Sequence, residues 1–159
     1  MPRRYPVIGY VSADSSILDR ALEVRLKRQE LLSPDSAPDF LVILDEAALR
    51  RTVGGATVMR HQISHLMEMT SKNVITLQVV PFSAGVHPGM LSGFMILEFA
   101  GSDEPGFPSA IPSIVFHETP SGADFVDQEP VVQQYQQSLA RVRSSALSEP
   151  DTLDLLTRS

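Results

Sequence analysis

At 159 residues, 43% hydrophobic and 20% charged, the chain has the length and apolar content of one globular domain with its own core. A net charge of −6 and a pI near 5.1 argue against a free-standing nucleic-acid binder, while leaving the distribution of charge open. The lack of cysteine excludes disulfides, a thiolate nucleophile and Cys-based zinc or iron–sulfur sites.

Residues 1–15 read as an irregular segment, broken by Pro2, Pro6 and Gly9, with room for an edge strand between Val7 and Val11. They carry two Arg but no following apolar core, so no signal peptide is expected. No apolar run approaches the roughly 20 residues of a membrane span. A cytoplasmic chain with no membrane partner is the expectation.

Ile17 to Leu32 is predicted as an amphipathic helix, with Arg20, Arg25, Lys27 and Arg28 mainly on its polar side. The interleaved Glu23 and Glu30 make those basic residues a solvated face rather than a phosphate site. After a loop at Ser33–Pro38, the run DFLVIL (Asp39 to Leu44) predicts a strand buried on both faces in the middle of a sheet. It ends in Asp45-Glu46, with Arg50 and Arg51 one helical turn on and a Val53-Gly54-Gly55 turn after them. Two carboxylates at a strand end form a site-like arrangement. The alternative is an Asp cap and a Glu–Arg pair holding the turn.

Ala56 to Ser71 is predicted as a second helix, followed by Asn73. His61 and His65 have the i, i+4 spacing of a zinc-protease helix, but Gln62 stands where the Glu base would be and cannot take a proton. Metalloprotease chemistry is thereby disfavoured, and no metal site is expected. The strands Val74–Val80 and Phe94–Phe99 follow, separated by a loop from Ser83 to Gly93 that holds three Gly, one Pro and His87. This loop is longer than a hairpin needs and is the first candidate for a ligand contact. A Pro-rich turn region follows Ala100. Ser113–Glu118 then predicts a strand antiparallel to its predecessor, and the TPSGADF loop leaves space for a short strand up to Val126. Asp127 is placed to cap a helix through Leu147, and Glu149–Thr157 reads as a last short helix. These elements imply an α+β fold: one small mixed or mainly antiparallel sheet of four to five strands, packed with three to four helices in a single domain over residues 1–159.

Four stretches carry a family likeness: RLKRQELL (Arg25 to Leu32), VILDEAALRRTVGG (Val42 to Gly55), MRHQISHL (Met59 to Leu66) and VITLQVVPFSAGVHPGMLSGFMILEF (Val74 to Phe99). Together with the closing ALSEPDTLDLL, they resemble a domain of unknown function found C-terminal to an Xre-type helix-turn-helix in actinobacterial transcription regulators. The resemblance covers roughly residues 20–158 and implies a regulatory or effector-binding role, without a catalytic set to transfer. No helix-turn-helix precedes these motifs, so direct DNA contact is not expected. An excised C-terminal domain and a stand-alone protein both fit.

Two functions follow. The first is a small-molecule-binding effector domain, with contacts from Glu46, Arg50, Gln78, His87, Glu98 and Glu118. The second is a cofactor-free biosynthetic enzyme of cyclase or isomerase type, with Glu46, His87 and Glu118 as acid–base groups in an apolar pocket. Either reading requires the carboxylates and the imidazole to meet at one rim of a single sheet. No cofactor is called for, the partner is a small molecule, and homodimerisation is expected by analogy with regulators. A serine-hydrolase elbow, a P-loop and a dinucleotide fingerprint are all missing from the sequence.

Overall fold

The alternation of apolar patterns along the chain resolves into five helices and five strands among the described residues. The computed structural model describes residues 15–32, 38–100, 111–119 and 122–158. The expected irregular start with its edge strand, most of the Ser33–Pro38 loop, and the turn region between residues 101 and 110 lie outside these. In chain order the elements are α1 (Ser15–Glu30), β1 (Leu41–Asp45), α2 (Glu46–Arg50), α3 (Ala56–Ser71) and β2 (Thr76–Val80). After two 3-10 turns (Phe82–Ala84 and Pro88–Met90) come β3 (Met95–Phe99), β4 (Ile111–Thr119), β5 (Gly122–Val126), α4 (Glu129–Ser145) and α5 (Glu149–Thr157). The α+β class holds. The strands do not form one sheet, however. β1 and β2 make a parallel pair, and β3, β4 and β5 make a three-stranded antiparallel sheet.

The chain divides into two compact units, one comprising Met1–Ser83 with Ala146–Ser159, the other Ala84–Ser145. In the first, α2 and α3 connect the parallel strands, as a parallel crossover requires. Its core is Leu49, Ile63, Val74, Ile75, Leu77, Val79 and Leu156, with Phe40, Leu66, Met69 and Leu153 packed against it. Gly55 caps α3 at φ 95°, a left-handed angle that glycine adopts without a Cβ penalty. Asn73 ends the helix at φ 54°, and the Val74 N–H returns to the Met69 carbonyl.

β1 differs from its expected place. Every residue of β1 is half-buried, and its ladder partner among the described residues is β2. A continuous apolar run does not by itself say how many neighbours a strand has. The other edge of β2 is closed by the end of the chain rather than by a strand. The Leu147 N–H donates to the Val79 carbonyl (2.8 Å), the Val79 N–H donates to Thr152 Oγ1 (3.1 Å), and Gln78 Nε2 donates to the Leu147 carbonyl (2.9 Å). Thr152 is fully buried at this seam. The arrangement occupies an edge that would otherwise present free backbone groups.

In the second unit β3–β4–β5 is a meander with α4 packed on one face. Val115, fully buried, lies between Ile96 and Val126 in the register and points toward the helix side. β4 is antiparallel to β3 as expected, and the short strand up to Val126 forms. The two strands that flank the Gly-rich loop do not pair with each other: β2 pairs with β1, and β3 with β4.

Candidate functional site

Residues expected to gather at one sheet rim fall into two groups. Glu46, Arg50 and Gln78 belong to the first unit, and His87, Glu98 and Glu118 to the second. Two sheets stand where one was expected, so no single rim serves all six.

In the first unit, the strand-end carboxylates are engaged by the backbone and by one another's helix. Asp45 Oδ1 accepts the Ala47 N–H at 2.7 Å and caps α2. Glu46 is buried. Its Oε1 accepts from Arg50 Nε (3.1 Å) and Nη2 (3.0 Å), and its Oε2 accepts the Phe82 N–H (2.9 Å). Glu46 thus joins α2 to Phe82, the first residue of the 3-10 turn after β2, and it matches the cap-and-pair alternative raised by the sequence. Gln78 uses its amide nitrogen on Leu147, while its buried Oε1 has no hydrogen-bond partner among the described residues.

In the second unit, His87 precedes the Pro88–Met90 turn and is buried, although it sits in a loop of exposed apolar residues such as Val86 and Leu91. Its imidazole lies over Gly89. A Cβ at Gly89 would come within 3.2 Å of Nδ1 and 3.5 Å of Val142 Cγ2 on α4. Glu98 on β3 and Glu118 on β4 are exposed. His61 and His65 on α3 are exposed too, and no group of three or more His, Cys, Asp or Glu among the described residues is placed to hold a metal.

The arrangement that does come together was not among the expected site residues. Phe94, just before β3, His117 on β4 and Tyr135 on α4 form a half-buried aromatic cluster. Ring centroids are 4.7 Å apart for His117–Tyr135, 5.1 Å for Phe94–Tyr135 and 6.5 Å for Phe94–His117, with the first two pairs edge-to-face. Such geometry aligns the positive edge of one ring with the negative face of another. No hydrogen bond to the His117 ring nitrogens or the Tyr135 hydroxyl forms among the described residues. Asp124 on β5, exposed, stands directly opposite His117 in the antiparallel register, a position that brings Cβ atoms to about 5 Å. The cluster therefore offers aromatic surface, one imidazole and one phenol with hydrogen-bonding capacity, and a carboxylate alongside. Two signals for it were present in the sequence. Val115 and His117 alternate onto one strand face, and Tyr135 lies on the apolar stripe of the helix that covers that face.

Among the described residues no helix is long and apolar enough to cross a membrane. No curated protein and no solved structure matches the chain. The family model described as a domain of unknown function (DUF5753) matches residues 11–158, nearly the full length, and the chain belongs to that family.

Proposed function

We propose that the chain is a non-catalytic recognition domain for a small molecule, the effector-sensing part of a cytoplasmic actinobacterial regulator of the Xre-type kind, which does not itself touch DNA. The observation that carries this reading is the Phe94–His117–Tyr135 cluster: half-buried aromatic surface with polar groups not engaged by the described residues, held between a helix and a sheet. Aromatic walls with a few convergent polar groups are what small-molecule sites are built from. The non-catalytic part rests on Glu46. The leading acid–base candidate already has both oxygens engaged, by Arg50 and by the Phe82 N–H. The family likeness to regulator C-terminal domains supports the same direction, and a homodimer suits it.

The enzyme alternative, a cyclase or isomerase without cofactor, draws support from a different group: His117 facing Asp124 across two strands with Tyr135 beside it. An imidazole with a carboxylate on the neighbouring strand is a candidate proton-transfer pair, although no hydrogen bond joins the two in this structure. One experiment separates the readings. Thermal unfolding is followed against a panel of small amines, acids and aromatic metabolites, in wild type and in Tyr135→Ala and His117→Ala proteins. A binder present at 100 times its Kd stabilises by about 2.7 kcal/mol. The expected result is a hit that both substitutions abolish and that is recovered chemically unchanged. Turnover of the hit favours the enzyme. A panel with no hit, or hits indifferent to both substitutions, removes the recognition reading.

A further inference from the structure

The aromatic cluster lies in a unit whose charge is nearly all of one sign. Between Ala84 and Ser145 the basic residues are Arg141 and Arg143, against seven Asp and Glu, a net of −5 out of the chain's −6. The fold places a carboxylate, not the arginines, beside the rings. Asp124 is opposite His117 in the register and so shares its sheet face, whereas Glu118, next along β4, points to the other face. Arg141 and Arg143 are six and eight residues beyond Tyr135 on α4, about 9 and 12 Å along the helix axis at 1.5 Å per residue.

Ring faces carry negative potential and attract cations, most strongly where water is partly excluded. An acidic side chain beside the rings adds a field of the same sign, screened by solvent because Asp124 is exposed, which raises the local concentration of positive ligands. An anionic ligand would meet that field as repulsion, and a neutral one would gain nothing from it. Tyr135, packed edge-to-face on His117, supplies the ring surface and Asp124 supplies the carboxylate on the β5 side of His117, with no hydrogen bond to Tyr135 Oη or the His117 nitrogens among the described residues.

We propose that this cluster binds a small organic cation, an amine or a quaternary ammonium compound, seated on the outer ring face of Tyr135 beside His117, with its charge toward Asp124. The inference rests on the small-molecule reading above and names the chemical class for it. The rings pack on one another, so the cation sits against the cluster rather than between its members.

The test uses the full chain and three probes of similar shape and different charge: benzyltrimethylammonium, benzyl alcohol and phenylacetate. Binding is read from the aromatic NMR signals of Tyr135, His117 and Phe94. The cation is expected to bind at least about tenfold tighter than the other two, to weaken as salt is raised, and to lose about tenfold in affinity in Asp124→Asn. Asp124 is exposed, so this variant keeps the fold even if Tyr135→Ala does not. Benzyl alcohol or phenylacetate binding as tightly at the same signals overturns the cation class and leaves the small-molecule reading standing. Cation binding that survives both Asp124→Asn and Tyr135→Ala places the site elsewhere and overturns the inference. No shift with any probe also overturns it, and the wider panel then decides the small-molecule reading alone.

Discussion

Truncating Glu46 to Ala would strip the Phe82 N–H of its acceptor and leave Arg50 without its carboxylate. The bond is only part-buried and Phe82 is exposed, so water can replace the lost acceptor, and a loss of about 0.5–1.5 kcal/mol, the net worth of one hydrogen bond, is expected in urea unfolding of Glu46→Ala. Arg50→Ala should cost less, about 0–1 kcal/mol, because its side chain is 45% exposed and solvent screens the pair. Gly89→Ala presses a methyl group to 3.2 Å from the His87 ring, which is buried and has little room to yield. A destabilisation of about 1 kcal/mol is expected from such overpacking, measured by the shift of the urea midpoint. On α3, a side-chain hydrogen bond from Lys72, reinforced by its charge, holds the Glu68 carboxyl below the ordinary 4.5. A carboxyl whose folded pKa is depressed contributes stability above its unfolded value and loses it as pH falls through the folded one. Lys72→Met should therefore lower stability slightly near neutral pH, with the difference from wild type vanishing in acid. Both groups are exposed, so the effect is small.

At the scale of elements, the seam along β2 is where a single hydroxyl carries most weight. Thr152→Val keeps the shape but removes the acceptor for the Val79 N–H at a fully buried position. A loss of about 1–3 kcal/mol is expected, while Thr152→Ser should retain most of the stability. If both substitutions destabilise equally, packing of the Thr152 methyl rather than the hydrogen bond is what holds α5 to the strand. The helix α1 contrasts with this. Val24 and Leu26 are each nearly half exposed, and most of the other described side chains along it are exposed. A 16-residue helix is marginal in water without apolar burial, and the described part of α1 from Leu22 to Glu30 contributes little. Its amides are expected to exchange with solvent faster than those of α3 and α4, which bury Ile63 and Thr70, and Val132 and Val142, respectively.

For the molecule as a whole, charge is the organising quantity. The unit Ala84–Ser145 carries −5, and the remainder of the chain carries −1. Neither part has the excess of Lys and Arg that neutralises phosphates. In gel-shift titrations the chain alone is expected to give no retarded species with duplex DNA even at low salt. Retardation that weakens steeply with salt would overturn the proposal that it does not contact DNA.

Local patterns determined a good deal by themselves. The helical repeat of Val58, Ile63 and Leu66, the Asn73 helix stop, the β-branched run before Pro81 and the apolar run Ser113–Glu118 are short-range signals, and each element appears close to where they place it. The Asp45 cap and the Glu46–Arg50 pair were also legible, because both partners lie within one helical turn. Strand pairing was not. β2 and β3 are neighbours in sequence yet join different sheets, since pairing depends on which apolar faces can be covered together and not on chain proximity. The seam of Thr152 with Val79 and the meeting of Phe94, His117 and Tyr135 join residues far apart in sequence. Contacts of that range leave no periodic trace, and only the packing of α4 and α5 onto their strands brings them into being.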